Sequence, residues 1–291
     1  MYDHTLYNLT QNLQGMIFQR AFQKFNENPP EDGAASNNNP LLQLRRGRAE
    51  SPAWFLVQAA EFDPEPLTVD NLRVRAIWSA PDLVKALLEM MASEGWFDRQ
   101  QDAYNLTDEG RTVIQSRQKR IANILNCFDA PASIRDDFTQ LEALMAEVIE
   151  SSLNATDPPG TWCLDYSRRR APSDDASPIH KIVQYCSDFN AFRDDAHMAS
   201  WRSHDIEGYE WETFSFVHAG TASTSDELFR QLAYRGYSRS DFINALQNLL
   251  ERGWIQRQDD GSHSTTAAGN TLHEKTEGIT DVYFFAPWKA L

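Results

Sequence analysis

Between Thr224 and Gly269 the spacing of apolar residues changes character twice. Leu228, Leu232 and Ala233 mark a short helix that Arg235-Gly236 interrupts. Phe242, Leu246, Leu249 and Leu250 then recur at the 3.6-residue period of a half-buried helix, from about Arg239 to Arg252. Gly253 ends that helix, since glycine tolerates the left-handed conformation a helix C-terminus requires. Trp254-Ile255 starts a strand, and Gln258-Asp259-Asp260-Gly261 predicts a hairpin turn through its Asp-Gly pair. A last helix, Thr266 to about Phe285, carries Leu272, Thr276, Ile279 and Tyr283 on one side before Pro287-Trp288. Helix, turn, helix and a small hairpin is the layout of a winged helix.

The same order occurs earlier. Ser51-Pro52-Ala53-Trp54 opens a helix through Phe55, Leu56 and Ala59, with Ser as cap and Pro in the first turn. Thr68 caps a short second helix. Ser79-Ala80-Pro81-Asp82 opens a third, which buries Leu83, Ala86, Leu87, Met90 and Met91 and stops at Gly95. Trp96-Phe97 and Tyr104-Asn105-Leu106 predict a hairpin, and Thr107 caps the next helix. Trp78-Ser79-Ala80-Pro81-Asp82 aligns with Tyr237-Ser238-Arg239-Ser240-Asp241, Gly95-Trp96-Phe97 with Gly253-Trp254-Ile255, and Thr107 to Gly110 with Thr266 to Gly269. Gly95 and Gly110 are 15 positions apart, Gly253 and Gly269 16, so the two stretches read as copies of one unit.

The remaining chain reads as helices and loops. Thr5–Asn26 is a helix with Leu6, Leu9, Leu13, Met16 and Ile17 on one stripe and Phe18, Phe22 and Phe25 on another. That much apolar surface is covered either by the body or by a second copy of the chain. Pro29–Pro40 is a loop, and Leu44-Arg45-Arg46-Gly47-Arg48 a basic cluster read as solvated. Val113–Cys127 and Ser133–Leu153 show helical spacing. Asn154–Ser177 reads as loop around a short strand at Trp162–Tyr166, with a second basic cluster at Arg168-Arg169-Arg170. Ser177-Pro178 starts a helix to about Ser203. The predicted fold is mainly α: two winged helix-turn-helix modules with small β-hairpin wings, joined by a helical connector. The predicted divisions are 1–50, 51–128, 129–205 and 206–291.

Composition narrows the function. At 291 residues, 41% hydrophobic and 24% charged, the chain is ordinary for a soluble protein of two or three units. No run approaches the ~18 apolar residues of a membrane span, and Met1–Thr10 lacks the pattern of a signal peptide. Three widely spaced cysteines, Cys127, Cys163 and Cys186, read as reduced thiols, which places the protein in the cytoplasm. The net charge of −15 opposes broad nucleic-acid affinity, so any such contact comes from a local patch.

The candidate patch is the third helix of each module. In the second, Arg239, Asn244, Gln247 and Asn248, with Arg257 on the wing, are side chains suited to base edges and phosphates. Arg239 and Arg252 cancel Asp241 and Glu251 there. In the first module Lys85 and the wing's Arg99 are the candidates, but Asp82, Glu89 and Glu94 outweigh Lys85 by two charges. A second candidate surface lies on the helix after Ser177. Asn190, Asp194, His197 and Trp201 share one face, and Arg193 sits at the edge of the stripe Ile182, Cys186, Phe189. These five polar and aromatic residues read either as a pocket for a small effector or as a hydrogen-bond network between helices; Arg193 needs a carboxylate partner if buried. Asp194 and His197 lack a third metal ligand at a recognised spacing. The chain has no Gly-x-Ser-x-Gly, no Walker loop and no Gly-x-Gly-x-x-Gly, and neither enzymatic activity nor a cofactor is expected.

The sequence resembles the MarR-like winged helices of bacterial regulators. It is closer to a family of bacterial proteins with two such modules, through Asp63-Pro64-Glu65-Pro66-Leu67, the run from Phe189 to His197, Arg252-Gly253-Trp254, Thr280-Asp281 and Ala286-Pro287-Trp288. The resemblance runs from about residue 51 onward and implies the fold and a helix-turn-helix, with no ligand or catalytic residue. The expectation is a dimeric, ligand-responsive transcription regulator that binds double-stranded DNA chiefly through the second module. The alternative is a winged-helix protein that binds a protein partner or small ligand instead of DNA.

Overall fold

The computed structural model describes residues 4–27, 52–130, 135–160 and 162–290. The Ser51 cap, the Pro29–Pro40 loop and the basic cluster at Leu44–Arg48 lie outside the described residues. The helices are α1 (His4–Glu27), α2 (Pro52–Ala60), α3 (Val69–Leu72), α4 (Pro81–Ser93), α5 (Asp108–Asn126), α6 (Arg135–Leu153), α7 (Trp162–Arg168), α8 (Pro178–Trp201), α9 (Gly208–His218), α10 (Ser225–Leu232), α11 (Arg239–Glu251) and α12 (Ala267–Phe285). Two antiparallel hairpins complete the described chain: β1 (Phe97–Gln100) with β2 (Ala103–Leu106), and β3 (Ile255–Arg257) with β4 (His263–Thr265).

The two helix–hairpin segments repeat one another bond for bond at their hinges. In the first, the Thr107 N–H donates to the Trp96 carbonyl at 3.0 Å, and the Thr107 hydroxyl to the Gly95 carbonyl at 2.7 Å. In the second, Thr266 makes the same bonds to Trp254 and Gly253, at 3.0 and 2.7 Å. Each threonine also caps the next helix, accepting the N–H of Gly110 or Gly269 at 3.0 Å. The helix start is thereby pressed against the strand, and only glycine fits at that point. A Cβ on Gly110 would stand 2.3 Å from the Trp96 carbonyl oxygen, and one on Gly269 2.0 Å from that of Trp254.

The two segments meet directly. The turn between α10 and α11 carries Gly236 at φ +83°, and its open Cα face lies against Leu83 near the start of α4. The Ala80 N–H donates to the Arg235 carbonyl at 2.8 Å, and the Tyr237 hydroxyl to the Ser79 carbonyl at 3.4 Å. The N-terminal turns of α4 and α11 are therefore neighbours.

α8 runs through the centre. Its buried apolar side chains include Ile182, Cys186, Phe189 and Phe192, packed with Met145, Val148 and Ile149 of α6 and Phe284 and Phe285 of α12. α1 lies on α5 and α8, burying Ile17, Ala21 and Phe25. The body thus covers one side of α1, while Leu6, Leu9 and Met16 remain exposed. One expectation is corrected. Trp162–Tyr166 is helical, not a strand, because the Asp195 carboxylate accepts the N–H groups of Cys163 and Leu164 at 2.9 and 3.0 Å and so holds a helix N-terminus.

The glycine contacts give a direct test. Gly110→Ala and Gly269→Ala should each lower stability by about 2 kcal/mol or more, whereas Gly278→Ala, where a Cβ meets nothing within 4 Å, should raise it by about 0.5–1 kcal/mol. Urea denaturation of the three variants reads both signs.

Candidate nucleic-acid interface and the buried network behind it

The second segment builds its outer face from α10, α11 and the β3–β4 hairpin. Thr224 caps α10 and Ser238 caps α11, each in a reciprocal capping box with Glu227 or Asp241. These caps fix where both helices begin. α11 turns Phe242, Ala245, Leu246 and Leu249 inward. Its outward side carries Arg239, Ser240, Ile243, Asn244 and Gln247, all exposed.

The predicted contact residues divide clearly. The Asn244 side chain is exposed and makes no hydrogen bond among the described residues. Gln247 is exposed and bonded only within its helix, to Glu251 at 2.9 Å. Arg257 is exposed on the hairpin and has no acid partner among the described residues. Arg239 is forked onto Asp226 of α10, with both side chains about 60% exposed. Such an exposed pair is held by only about 0–1 kcal/mol and exchanges readily for a phosphate. Asn248 is corrected: it is half-buried, its amide donates to Glu210 at 2.7 Å and its oxygen accepts from Arg252, so its hydrogen bonds are committed inside the protein.

On the first segment Lys85 is exposed on α4. Arg99 is held by Glu89 at 3.2 Å and by the Gln101 carbonyl at 2.8 Å. With Asp82, Glu89, Glu94 and Asp98 also exposed, this face carries more negative than positive charge.

The predicted effector residues on α8 form an internal network, and the expectation of an open pocket among them is corrected. Asn190 is covered by α1: it accepts from the Tyr7 hydroxyl at 2.7 Å and donates to Gln11 at 2.9 Å. Arg193 has the carboxylate that its position requires, Glu277 of α12 at 3.6 Å, and lies over the Tyr7 ring. Trp201 is 1% exposed and belongs to the core of the second segment. Asp194 alone faces solvent. Desolvation by the surrounding protein raises its carboxyl, Arg75 and Arg193 pull it back down, and its contact with solvent limits the rise.

His197 is the hub. Its Nε2 accepts from the Trp211 indole at 3.2 Å, so the ring proton resides on Nδ1, which faces the Thr280 hydroxyl at 3.3 Å and Glu277 at 3.6 Å. Thr280 is shared with Ser200 at 2.9 Å. Burial pushes the His197 imidazole down to about 4, against the opposing pull of Glu277. His273, stacked on His218 with ring centroids 3.8 Å apart, is likewise pushed down to about 4 by burial and by His218. Thr280, Glu277, Trp211 and His273 escape a reading of α8 alone, because they come from α9 and α12.

The predicted basic cluster is paired with acids of the same chain. Arg168 pairs with fully buried Asp188 at 2.7 Å, Arg169 with Glu65 at 3.0 Å, and Arg170 with fully buried Glu61. Cys163 and Cys186 are buried and unpaired, and burial pushes both thiols up, Cys186 to about 12. Among the described residues no three His, Cys, Asp or Glu side chains gather to hold a metal ion, and no helix is long and apolar enough to cross a membrane.

Residues 167–291 match a helix-turn-helix family. That span takes in α8, the whole second segment and α12, so this part of the chain is similar to a helix-turn-helix domain. No curated protein and no solved structure matches the sequence.

The neutral His197 makes stability depend on pH. Its folded value lies below the ordinary 6.5, so its contribution is present above pH 6.5 and lost as pH falls towards 4. Asp195, pushed up to about 6 by burial, acts oppositely, so the readout is a difference between proteins. Between pH 7 and pH 4 the wild type should lose about 3 kcal/mol relative to His197→Gln, measured by urea denaturation at each pH. Parallel curves would refute the assignment.

Proposed function

We propose that the helix-turn-helix domain binds duplex DNA, with α11 in the major groove and the β3–β4 hairpin beside it as a wing. The observation that carries this reading is the uncommitted polar face of α11 within a chain segment matched to a helix-turn-helix family. Asn244 and Gln247 have the amide groups that bond bidentately to adenine. Arg257 and, after leaving Asp226, Arg239 supply phosphate contacts. In this reading both helix–hairpin segments are winged helices, and the first serves as a brace: the start of α4 packs on the α10–α11 turn, and its outward face is acidic. The protein is an intracellular transcription regulator, working as a homodimer in which the exposed Leu6, Leu9 and Met16 of α1 meet a second copy and two α11 helices read two half-sites.

One observation favours a second reading. Ile243, 50% exposed, stands beside Asn244 on α11, and Phe229 of α10 is 40% exposed. In a groove Ile243 would meet a thymine methyl. On a chain of net charge −15, the same two side chains also suit a protein partner.

Selection from a random duplex pool at low salt separates the two. DNA binding predicts an enriched sequence bound in a salt-sensitive complex. Arg257→Ala should lower the slope of log K against log salt by about one. Asn244→Ala should cost about 1–3 kcal/mol and relax the preference at one base pair, and Lys85→Ala should change neither. No enrichment and no salt-sensitive complex at low salt would leave the partner reading standing.

A further inference from the structure

A cleft of about 450 Å³ lies where α1, α2, α5 and α8 converge, away from the α11 face and from the His197 network. We propose that it binds a small apolar monocarboxylate, with the carboxylate on Arg117.

The walls are largely hydrocarbon, with Phe18 of α1, Val57 of α2, Ile114 and Ile121 of α5, and Val183 of α8 among them. The volume lies within the range of small-molecule sites. Arg117 of α5 reaches into this apolar lining. Its Nε is buried with no hydrogen-bond partner, and the guanidinium has no ion pair among the described residues. Burial alone depresses its pKa, with no acid near enough to oppose the shift. The buried Nε loses hydration without compensation, a cost that a bound carboxylate removes by accepting two parallel N–H bonds from the guanidinium.

The neighbouring polar groups narrow the ligand. The other guanidinium on the wall, Arg170, is committed to Glu61. With one uncommitted cation among the described lining residues, the cleft suits a monoanion and leaves a phosphate dianion half-neutralised. His180 is hydrogen-bonded to the Ala122 carbonyl, and its Nε2 is buried without a partner. The bond to a carbonyl places the proton on Nδ1, so Nε2 is an acceptor. A carboxylate gains nothing there, whereas a hydroxyl or N–H elsewhere on the ligand does. The amides of Gln14 and Gln184 are already spent on α8 and Ser167.

Calorimetric titration of the full chain with decanoate tests this, with decanol and inorganic phosphate as comparisons. Wild type should bind one decanoate saturably below about 1 mM. Arg117→Gln should weaken binding at least about tenfold, Arg117→Lys, which keeps the charge but not the parallel pair of N–H bonds, should fall between it and wild type, and decanol should bind weakly and equally to all three. Unligated Arg117→Gln should keep the wild-type melting temperature or exceed it, because the variant no longer buries an unpaired cation. No saturable decanoate binding, binding indifferent to Arg117→Gln, saturable phosphate binding without decanoate binding, or an Arg117→Gln variant that melts lower or fails to fold would each overturn the proposal. The titration contains no DNA, so its result is independent of what α11 binds.

Discussion

Among the described residues, the carboxylates of Glu61, Asp188 and Asp195 are the most deeply buried, and each is answered by the nine residues from Trp162 to Arg170. Glu61 and Asp188 are fully buried, and Asp195 is 1% exposed. A buried carboxylate left unpaired costs several kcal/mol, enough to remove much of a domain's stability. Asp195 is met by two backbone N–H groups at the start of α7. Asp188 is met by the Ser167 hydroxyl and Arg168 from the end of α7, and by Gln184 one turn earlier on α8. Glu61, beyond α2, is met by Arg170 and by Arg75. One short segment therefore ties the central helix to the first helix–hairpin segment. The arrangement works only with all members present, since removing any partner strands a charge.

This clamp explains what the outer surface is free to do. With α8 fixed from one side by α7, its other side is fixed by α12 and α9 through Arg193, His197 and Trp211. These three side chains are partnered between α8, α9, α12 and α1, so the second segment need not use α11 for packing beyond its inward stripe. The exposed polar face of α11 follows from that sufficiency. The first segment is spent differently: the start of α4 is docked on the α10–α11 turn, and its outward arginine, Arg99, is neutralised by Glu89. Two segments with matching hinges thus present chemically different faces.

Local signals are legible in the sequence and distant pairings are not. Thr107, Thr266, Ser238 and the glycines after α4 and α11 announce helix limits, because caps and left-handed turns act over a few residues. The helix at Trp162–Arg168 reads as a strand in sequence because its cap, Asp195, lies 32 positions away from Cys163. Asn248 reads as a base-contacting residue because its helical position is outward by period, while its partner Glu210 arrives from α9. The run Asn190 to Trp201 places Asp194 at the surface but Trp201 in a hydrophobic core. Nothing in that run reveals that Tyr7 and Gln11 of α1 cover it. The Arg168–Arg170 cluster looks free for the same reason: its acids, Glu61, Glu65 and Asp188, are scattered along the chain.

The claim that buried carboxylates clamp the chain is tested most directly by differential scanning calorimetry of Glu61→Gln beside Asp226→Asn. The first substitution removes the charge and sets a neutral amide against Arg75 and Arg170. The wild type should melt in one transition, and Glu61→Gln should lose about 3–5 kcal/mol, with an earlier transition separating from the main one. Asp226→Asn, which breaks only the exposed pair with Arg239, should melt within about 1 kcal/mol of wild type. A Glu61→Gln protein that melts with the wild type would contradict the account.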